Sequence, residues 1–203
     1  MEINWESQVL SSVSKVIPKL SCLEIDIDKL HEVAAELSED SFSINYEGNT
    51  NTVPKEYIRK TMLINTLNFV FTDFLTSVKY KIENYSDTDA MVYQIDKALD
   101  QGIPLTQGRF MRDMNLKEFK TLFTGNIVMP MADEKVKILN NVGDILVTKY
   151  GGDWINFIDD GPKKLYDNGK GLVERLVRDF KRFDDHSIFE NENVFMRQPL
   201  QPE

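Results

Sequence analysis

Apolar and polar positions along this chain recur mostly with a helical period. Val9, Leu10, Val13, Val16 and Ile17 share one face of a segment from Trp5 to Ile17, and Pro18 ends it because proline has no N–H to give. A second helix is predicted from Asp28, whose carboxylate can cap the first turn, with Leu30, Val33, Ala34 and Leu37 at helical spacing. Between Phe42 and Tyr46 the period shortens to two, which reads as a short strand ahead of Gly48. Pro54 suits the first turn of a third helix, with Thr52 as its cap; this helix carries Ile58, Met62, Leu63 and Leu67 towards Phe71. Val78, Tyr80 and Ile82 alternate with Lys79 and Lys81, a second short strand that could pair with the first.

The helical period resumes from Asp89 with Val92, Ile95 and Leu99, and Gly102 stands where that helix would stop. Asn115 and Glu118 have capping-box spacing ahead of Leu116, Phe119, Leu122 and Phe123. After Pro130, a helix from Asp133 to Tyr150 places Val136, Leu139, Val142 and Leu146 on one stripe, and Gly151 and Gly152 can supply its left-handed cap. Leu165, Leu172, Leu176 and Phe180 share a face after Pro162, although Gly169 and Gly171 each weaken that helix by about 1 kcal/mol relative to alanine. Arg197 to Glu203 has two prolines and no period, so a frayed tail is expected there. The pattern predicts a mainly α protein, a single helical domain over residues 1–196 with a small β element, followed by the tail over 197–203.

Composition narrows the function classes. No apolar run approaches the roughly 20 residues of a membrane span, and the N-terminus lacks a basic region followed by an apolar stretch. Neither a membrane partner nor secretion is expected. Cys22 is the single cysteine, so no intramolecular disulfide can form, which fits a reducing, cytoplasmic compartment; beside Leu23 it reads as a small buried hydrophobe. Two histidines and one cysteine nearly exclude a Cys/His zinc site. The formal net charge of −9 opposes binding along a DNA or RNA backbone, so long nucleic acid is not an expected partner. A small nucleoside or nucleobase ligand remains compatible, because one pocket can be locally basic.

Three carboxylate groupings, Asp87 with Asp89, Asp159 with Asp160, and Asp184 with Asp185, could divide acid and base roles if burial separated their pKa values. Each stands where a helix or turn would begin, and aspartate is favoured there as a cap. Asn68-Phe69-Val70-Phe71 places a polar residue in an apolar, aromatic helix. An aromatic wall with one directional hydrogen-bonding group suits a flat heterocycle; by pattern alone, core packing with Asn68 bonded to a nearby backbone is the favoured reading. Trp154 and Phe157 pose the same choice. The basic pairs Lys163-Lys164 and Lys181-Arg182 could meet a phosphate or simply be solvated. No phosphate-binding glycine loop, metalloprotease pair or nucleophile elbow is present.

Ala98-Leu99-Asp100-Gln101-Gly102-Ile103-Pro104-Leu105-Thr106, Met129-Pro130-Met131, Ile138-Leu139, Val142-Gly143, Ile145-Leu146 and Lys149-Tyr150-Gly151-Gly152 resemble the queuosine salvage family of queuosine 5′-phosphate N-glycosylase/hydrolases. Thr66-Leu67-Asn68-Phe69-Val70-Phe71 is similar to that family's Leu-Asn-Phe-x-Phe-Trp element, and Leu172 to Phe183 follows its helix ending in an aromatic. The resemblance implies a mostly helical fold similar to helix-hairpin-helix DNA glycosylases. Departures accompany it. Thr72 stands for the family's tryptophan, Ser86-Asp87-Thr88-Asp89 for its Ser-Gly-Tyr-Trp, Thr124-Gly125-Asn126 for its Arg-Ser-Asp, and Glu134-Lys135 for its Glu-Arg. An aromatic-to-aspartate exchange removes a stacking face worth about 1 to 3 kcal/mol per base. The family continues with a Lys-Arg-Ala-Gln and a Phe-Ala-Asp-Tyr-Arg element, the latter holding the expected catalytic carboxylate, whereas here Met196-Arg197-Gln198 leads to Glu203.

What the resemblance implies is N-glycosidic hydrolysis of a (deaza)purine nucleoside or nucleotide to release the base. The alternative is a binding or accessory subunit that keeps the scaffold and needs a protein partner to complete its site. Rewired carboxylates such as Asp153, Asp159 and Asp160 could also supply the chemistry. A purely structural interaction protein would explain the acidic surface but not the Asn68–Phe71 element. Asn68, Phe69, Phe71, Phe110 and Trp154 form the candidate substrate-binding set, and no metal or organic cofactor is implied.

Overall fold

The structure, a computed structural model, describes residues 12–21, 24, 26–36, 53–162 and 164–195. Trp5 to Ser11, Cys22, Leu37, the strand expected at Phe42–Tyr46, the Thr52 cap, Lys163 and the tail from Arg197 lie outside the described residues. The chain divides into two compact units, Pro54–Lys163 and the two flanking segments Met1–Val53 with Lys164–Glu203. The fold is mainly α with a small β element.

In the flanking unit, residues 12–16 are helical and run into a 3-10 turn, Ile17–Lys19, which contains Pro18 instead of ending before it. Helix α1 spans Ile27–Glu36. Asp26, not Asp28, caps it, its Oδ1 accepting the Lys29 N–H at 2.9 Å. A cap must precede the first turn; Asp28 lies inside that turn, where its charge still suits the positive end of the helix dipole.

The Pro54–Lys163 unit opens with α2, Lys55–Leu67, and Pro54 stands at its cap position. An isolated bridge between Thr72 and Lys79 leads into β1, Lys81–Ile82, which pairs antiparallel with β2, Tyr85–Ser86. Helix α3 spans Asp87–Asp100, and Gly102, at φ +78°, donates its N–H to the Leu99 carbonyl at 2.9 Å. Two short helices follow, α4 at Gly108–Asp113 and α5 at Leu116–Leu122. The capping box of α5 is complete: Asn115 Oδ1 accepts from Lys117 and Glu118, and Glu118 accepts from the Asn115 N–H.

Helix α6, Ala132–Tyr150, is the axis of this unit. It buries Val136, Leu139, Val142, Gly143, Leu146 and Tyr150 along one stripe. Gly151 and Gly152 adopt φ of +61° and +87°, and the Gly152 N–H closes the helix on the Leu146 carbonyl at 2.8 Å. Helix α4 approaches α6 so closely that a Cβ on Gly143 would stand 2.3 Å from the Arg112 nitrogen and 2.6 Å from the Gly108 oxygen. Asn140 then donates to the carbonyls of Met111 and Met114, both at 2.9 Å, and ties the end of α4 to the same helix. Helix α7, Trp154–Asp159, follows the glycine pair.

Past Pro162 the structure departs from the periodicity. Residues 164–171 form turns, and α8 spans only Leu172–Asp179, so Leu165 is not part of it. The reason is Gly169, at φ +85°, together with a buried carboxylate. Glu174 accepts backbone N–H bonds from Asp167, Gly169 and Gly171 at 2.9, 2.9 and 2.7 Å, which satisfies the loop in a non-helical shape. Burial pushes the Glu174 carboxyl up, but these donors outweigh it and hold the group below its ordinary value. A hairpin of β3, His186–Phe189, and β4, Glu192–Phe195, ends the described chain.

Candidate functional site

Two features stop α2 at Leu67. Asn68 takes φ −75° and ψ 70°, outside the helical basin, and the Phe69 N–H turns back to the Leu67 carbonyl at 2.8 Å. Val70 then adopts φ +49°, a left-handed conformation that costs a β-branched residue about 1 to 3 kcal/mol. The apolar neighbours predict a helix continuing through Asn68; instead Asn68 lies where the helix unwinds.

Lys135, in the first turns of α6, over-determines this shape. Its side chain is fully buried. Nζ donates to the Leu67 carbonyl at 2.9 Å and also to the Phe69 carbonyl. The same ammonium lies 3.7 Å from the Phe69 ring centroid and 4.9 Å from that of Phe71. A cation on an aromatic face, desolvated as here, is worth about 2 kcal/mol.

Asn68 itself is exposed and bonds to a side chain, not to the nearby backbone expected for a core asparagine. Thr88 Oγ1 donates to Asn68 Oδ1 at 2.8 Å. Thr88 belongs to the first turn of α3, and Asp87 before it takes φ +54° and pairs with Lys79 at 3.2 Å. The fold thus joins the Asn68–Phe71 element to the Ser86–Asp89 stretch.

Three of the five sequence candidates meet in this corner: Asn68, half-buried Phe69 and buried Phe71. Phe110 is half-buried on α4. Trp154 is fully buried at the far end of α6, which at about 1.5 Å per residue lies some 22 Å from Lys135. There Trp154 meets Phe157 edge-on at 5.8 Å, and Phe157 meets Tyr150 edge-on at 5.1 Å.

That far end carries a polar cleft of about 560 Å³, lined in part by Arg59, Thr106, Gln107, Arg109, Gly152 and Asp153. Beside it Gly108, two residues past the Ala98–Thr106 segment, donates its N–H to the Gly152 carbonyl at 2.8 Å. Arg59 grips Asp153 with two bonds, Nε to Oδ1 at 3.0 Å and Nη2 to Oδ2 at 2.6 Å, and also reaches Glu56 at 2.6 Å. The Arg59 guanidinium holds the Asp153 carboxyl below its ordinary value despite partial burial. Asp153 also caps α7 through the Ile155 N–H, so both oxygens are committed. Asp159 and Asp160 stand at the end of α7, not at the start of an element. Among the described residues no group of three or more His, Cys, Asp or Glu side chains is arranged to hold a metal ion.

Lys135 and Arg59 are the residues the sequence pattern passes over. Lys135 had a signal: it sits on the buried stripe of α6, three residues after Ala132 and four before Leu139. Arg59 had none, since its partner is 94 residues away.

A sequence model of the family described as queuosine salvage protein matches residues 44–201. The chain is 28% identical over 138 residues to the queuosine 5′-phosphate N-glycosylase/hydrolase of Mus musculus, covering 65% of this chain and 40% of that protein. With the protein of the same name from Bos taurus it shares 25% over 165 residues, covering 78% and 47%. With that of Sphaerobacter thermophilus it shares 22% over 190 residues, covering 92% and 58%. The chain therefore spans about half the length of the curated relatives it matches. The matched region includes the Asn68 corner, all of α6 and the glycine pair that closes it, and the chain belongs to the queuosine salvage protein family.

Proposed function

We propose that this chain takes part in N-glycosidic hydrolysis, releasing the base from a (deaza)purine nucleoside or nucleotide such as queuosine 5′-phosphate. The names of its matched relatives support the reaction class. The observation that carries the reading to particular residues is the Thr88-to-Asn68 bond of 2.8 Å, at the residue preceding Phe69. A flat heterocycle needs an apolar face and one directional edge contact. Phe69 offers the first, and the Asn68 amide, its oxygen held by Thr88, offers two N–H donors to an acceptor on the base edge. Neither Phe110 nor Trp154 adds to that corner, so their role in our reading is packing. We place the reaction in the cytoplasm, in line with one cysteine in 203 residues.

A second reading, a binding or accessory subunit whose site a partner protein completes, is favoured by Asp87. Departure of a base leaves an oxocarbenium-like sugar that a positioned carboxylate must stabilise, or for which it must activate water. The Asp87 carboxylate of this corner is paired with Lys79 at 3.2 Å, so a cation already engages it.

Incubation of the purified chain with queuosine 5′-phosphate and related nucleosides, with free base followed by mass spectrometry, separates the readings. Base release that Asn68→Ala abolishes, with the circular dichroism spectrum unchanged, is the expected result. Binding without release supports the accessory reading. A protein that binds no nucleoside at all refutes both.

A further inference from the structure

We infer that Lys135 is a positioning residue, which from inside the core fixes the direction of the Asn68 side chain. The inference rests on the nucleoside-binding role proposed for that corner. Its basis is a bracket: Lys135 Nζ donates to the carbonyls of Leu67 and Phe69, the residues on either side of Asn68. The Leu67 carbonyl lies in the peptide plane before the Asn68 Cα, and the Phe69 N–H, in the plane after it, bonds that same carbonyl at 2.8 Å; by gripping the Leu67 carbonyl, and the Phe69 carbonyl one plane further on, Lys135 holds the turn that sets where the Asn68 Cβ points. Asn68 is exposed and has little packing to hold it otherwise. Thr88 restrains the amide oxygen, but only once the backbone has aimed the side chain at it. The same ammonium lies against the rings of Phe69 and Phe71, so one cation orients the amide and the apolar face together. Fully buried, Lys135 does not reach a ligand, and its effect passes through Asn68.

A merely structural lysine would cap α2 and stabilise the fold without governing Asn68. The two roles are told apart in the isotopically labelled full chain by the side-chain amide resonances of Asn68. Asn140, bonded to Met111 and Met114, serves as an internal control. In Lys135→Met the Asn68 amide is expected to move to the shift of a free amide and exchange faster with water, while Asn140 stays in place. Lys135→Arg, which restores two donors, is expected to bring the Asn68 signal back. Lys135→Gln, one bond shorter and uncharged, loses the ammonium's contact with the rings and its reach to the carbonyls, and is read the same way should the methionine variant fail to fold. An Asn68 signal unchanged in the folded variants overturns the inference, even if their melting temperatures fall. Titration with queuosine 5′-phosphate supplies the functional arm, with Kd weakened about tenfold in Lys135→Met and restored in Lys135→Arg. If the unmodified chain binds no nucleoside, the proposed function fails, and the amide resonances still decide the role of Lys135.

Discussion

The two ends of α6 are built on opposite principles. At its C-terminal end each residue type agrees with its place. Gly151 and Gly152 take left-handed conformations that glycine accepts without cost, Gly108 and Gly143 allow two backbones to touch, and Trp154 and Phe157 fill a core. At its N-terminal end the residues defy local preference. Val70 and Asp87 are left-handed, a lysine is buried, and an asparagine interrupts an apolar run. Local choices that conflict with their surroundings concentrate at functional sites, where the remaining structure compensates for them. Under the proposed function, stability rests at one end and ligand contact at the other, and each substitution below tests that division.

The largest effect is expected from Trp154→Ala. Emptying a fully buried indole site costs about 3 to 5 kcal/mol, measured by urea unfolding. Nucleoside affinity, measured in the folded range, is expected to stay unchanged. Loss of affinity with the fold intact would move Trp154 back into the ligand wall and break the division. Gly143→Ala comes next, at about 2 kcal/mol, because its Cβ would press on the Arg112 nitrogen and Gly108 oxygen of α4. These obstacles are backbone atoms, so they yield only if α4 shifts.

The same contrast explains what the sequence made legible. The caps at Asn115 and at Gly151-Gly152 and the stripe of α6 are local signals, and the structure repeats them nearly residue for residue. Periodicity failed at Asn68 and at Leu165 for one shared reason. In each case a buried charged side chain, Lys135 or Glu174, binds backbone groups and rewards a non-helical turn that apolar spacing cannot announce. Asp26 displaced Asp28 as the cap of α1, a cap two residues earlier than expected, which spacing does not resolve. Of the site, the Asn68–Phe71 element was readable from composition, and its link to Thr88 was not, because the bond spans 20 residues and depends on where α2 ends.

The ion pair at the stable end gives the third test. Asp153→Asn keeps a side chain able to cap α7 and removes the charge that Arg59 grips, so the substitution isolates the pair. A charge-assisted, partly buried pair of this kind contributes about 1.5 kcal/mol. Arg59 depresses the Asp153 carboxyl in the folded state. That contribution is therefore complete above the unfolded carboxyl value of about 3.9 and is lost as pH falls through the lower folded value. Unfolding free energies of the two proteins are expected to differ near neutral pH and to converge as the solution is acidified below that range. Glu174 is depressed in the same direction by its backbone donors, so both proteins lose stability in acid, and only the difference between them reports Asp153. A gap that persisted in strong acid would mean that packing, not charge, holds Arg59.

The smallest stability effect is expected from Asn68→Ala, and it is the most discriminating. The side chain is exposed, and the bond it shares with Thr88 contributes about 0.5 kcal/mol to folding, at the low end for a hydrogen bond that water can replace. Lys135 keeps its grip on the Leu67 and Phe69 carbonyls whatever the side chain at 68, so the turn survives. Base release or nucleoside binding should nonetheless fall below detection, because the amide donor on which the proposed site relies is gone. Asn68→Ala and Trp154→Ala then form a crossed pair, one altering function without stability and the other stability without function. Were Asn68→Ala to unfold the protein instead, the asparagine would be a structural cap of α2, and the ligand site would have to be sought along the polar cleft beside Arg59 and Asp153.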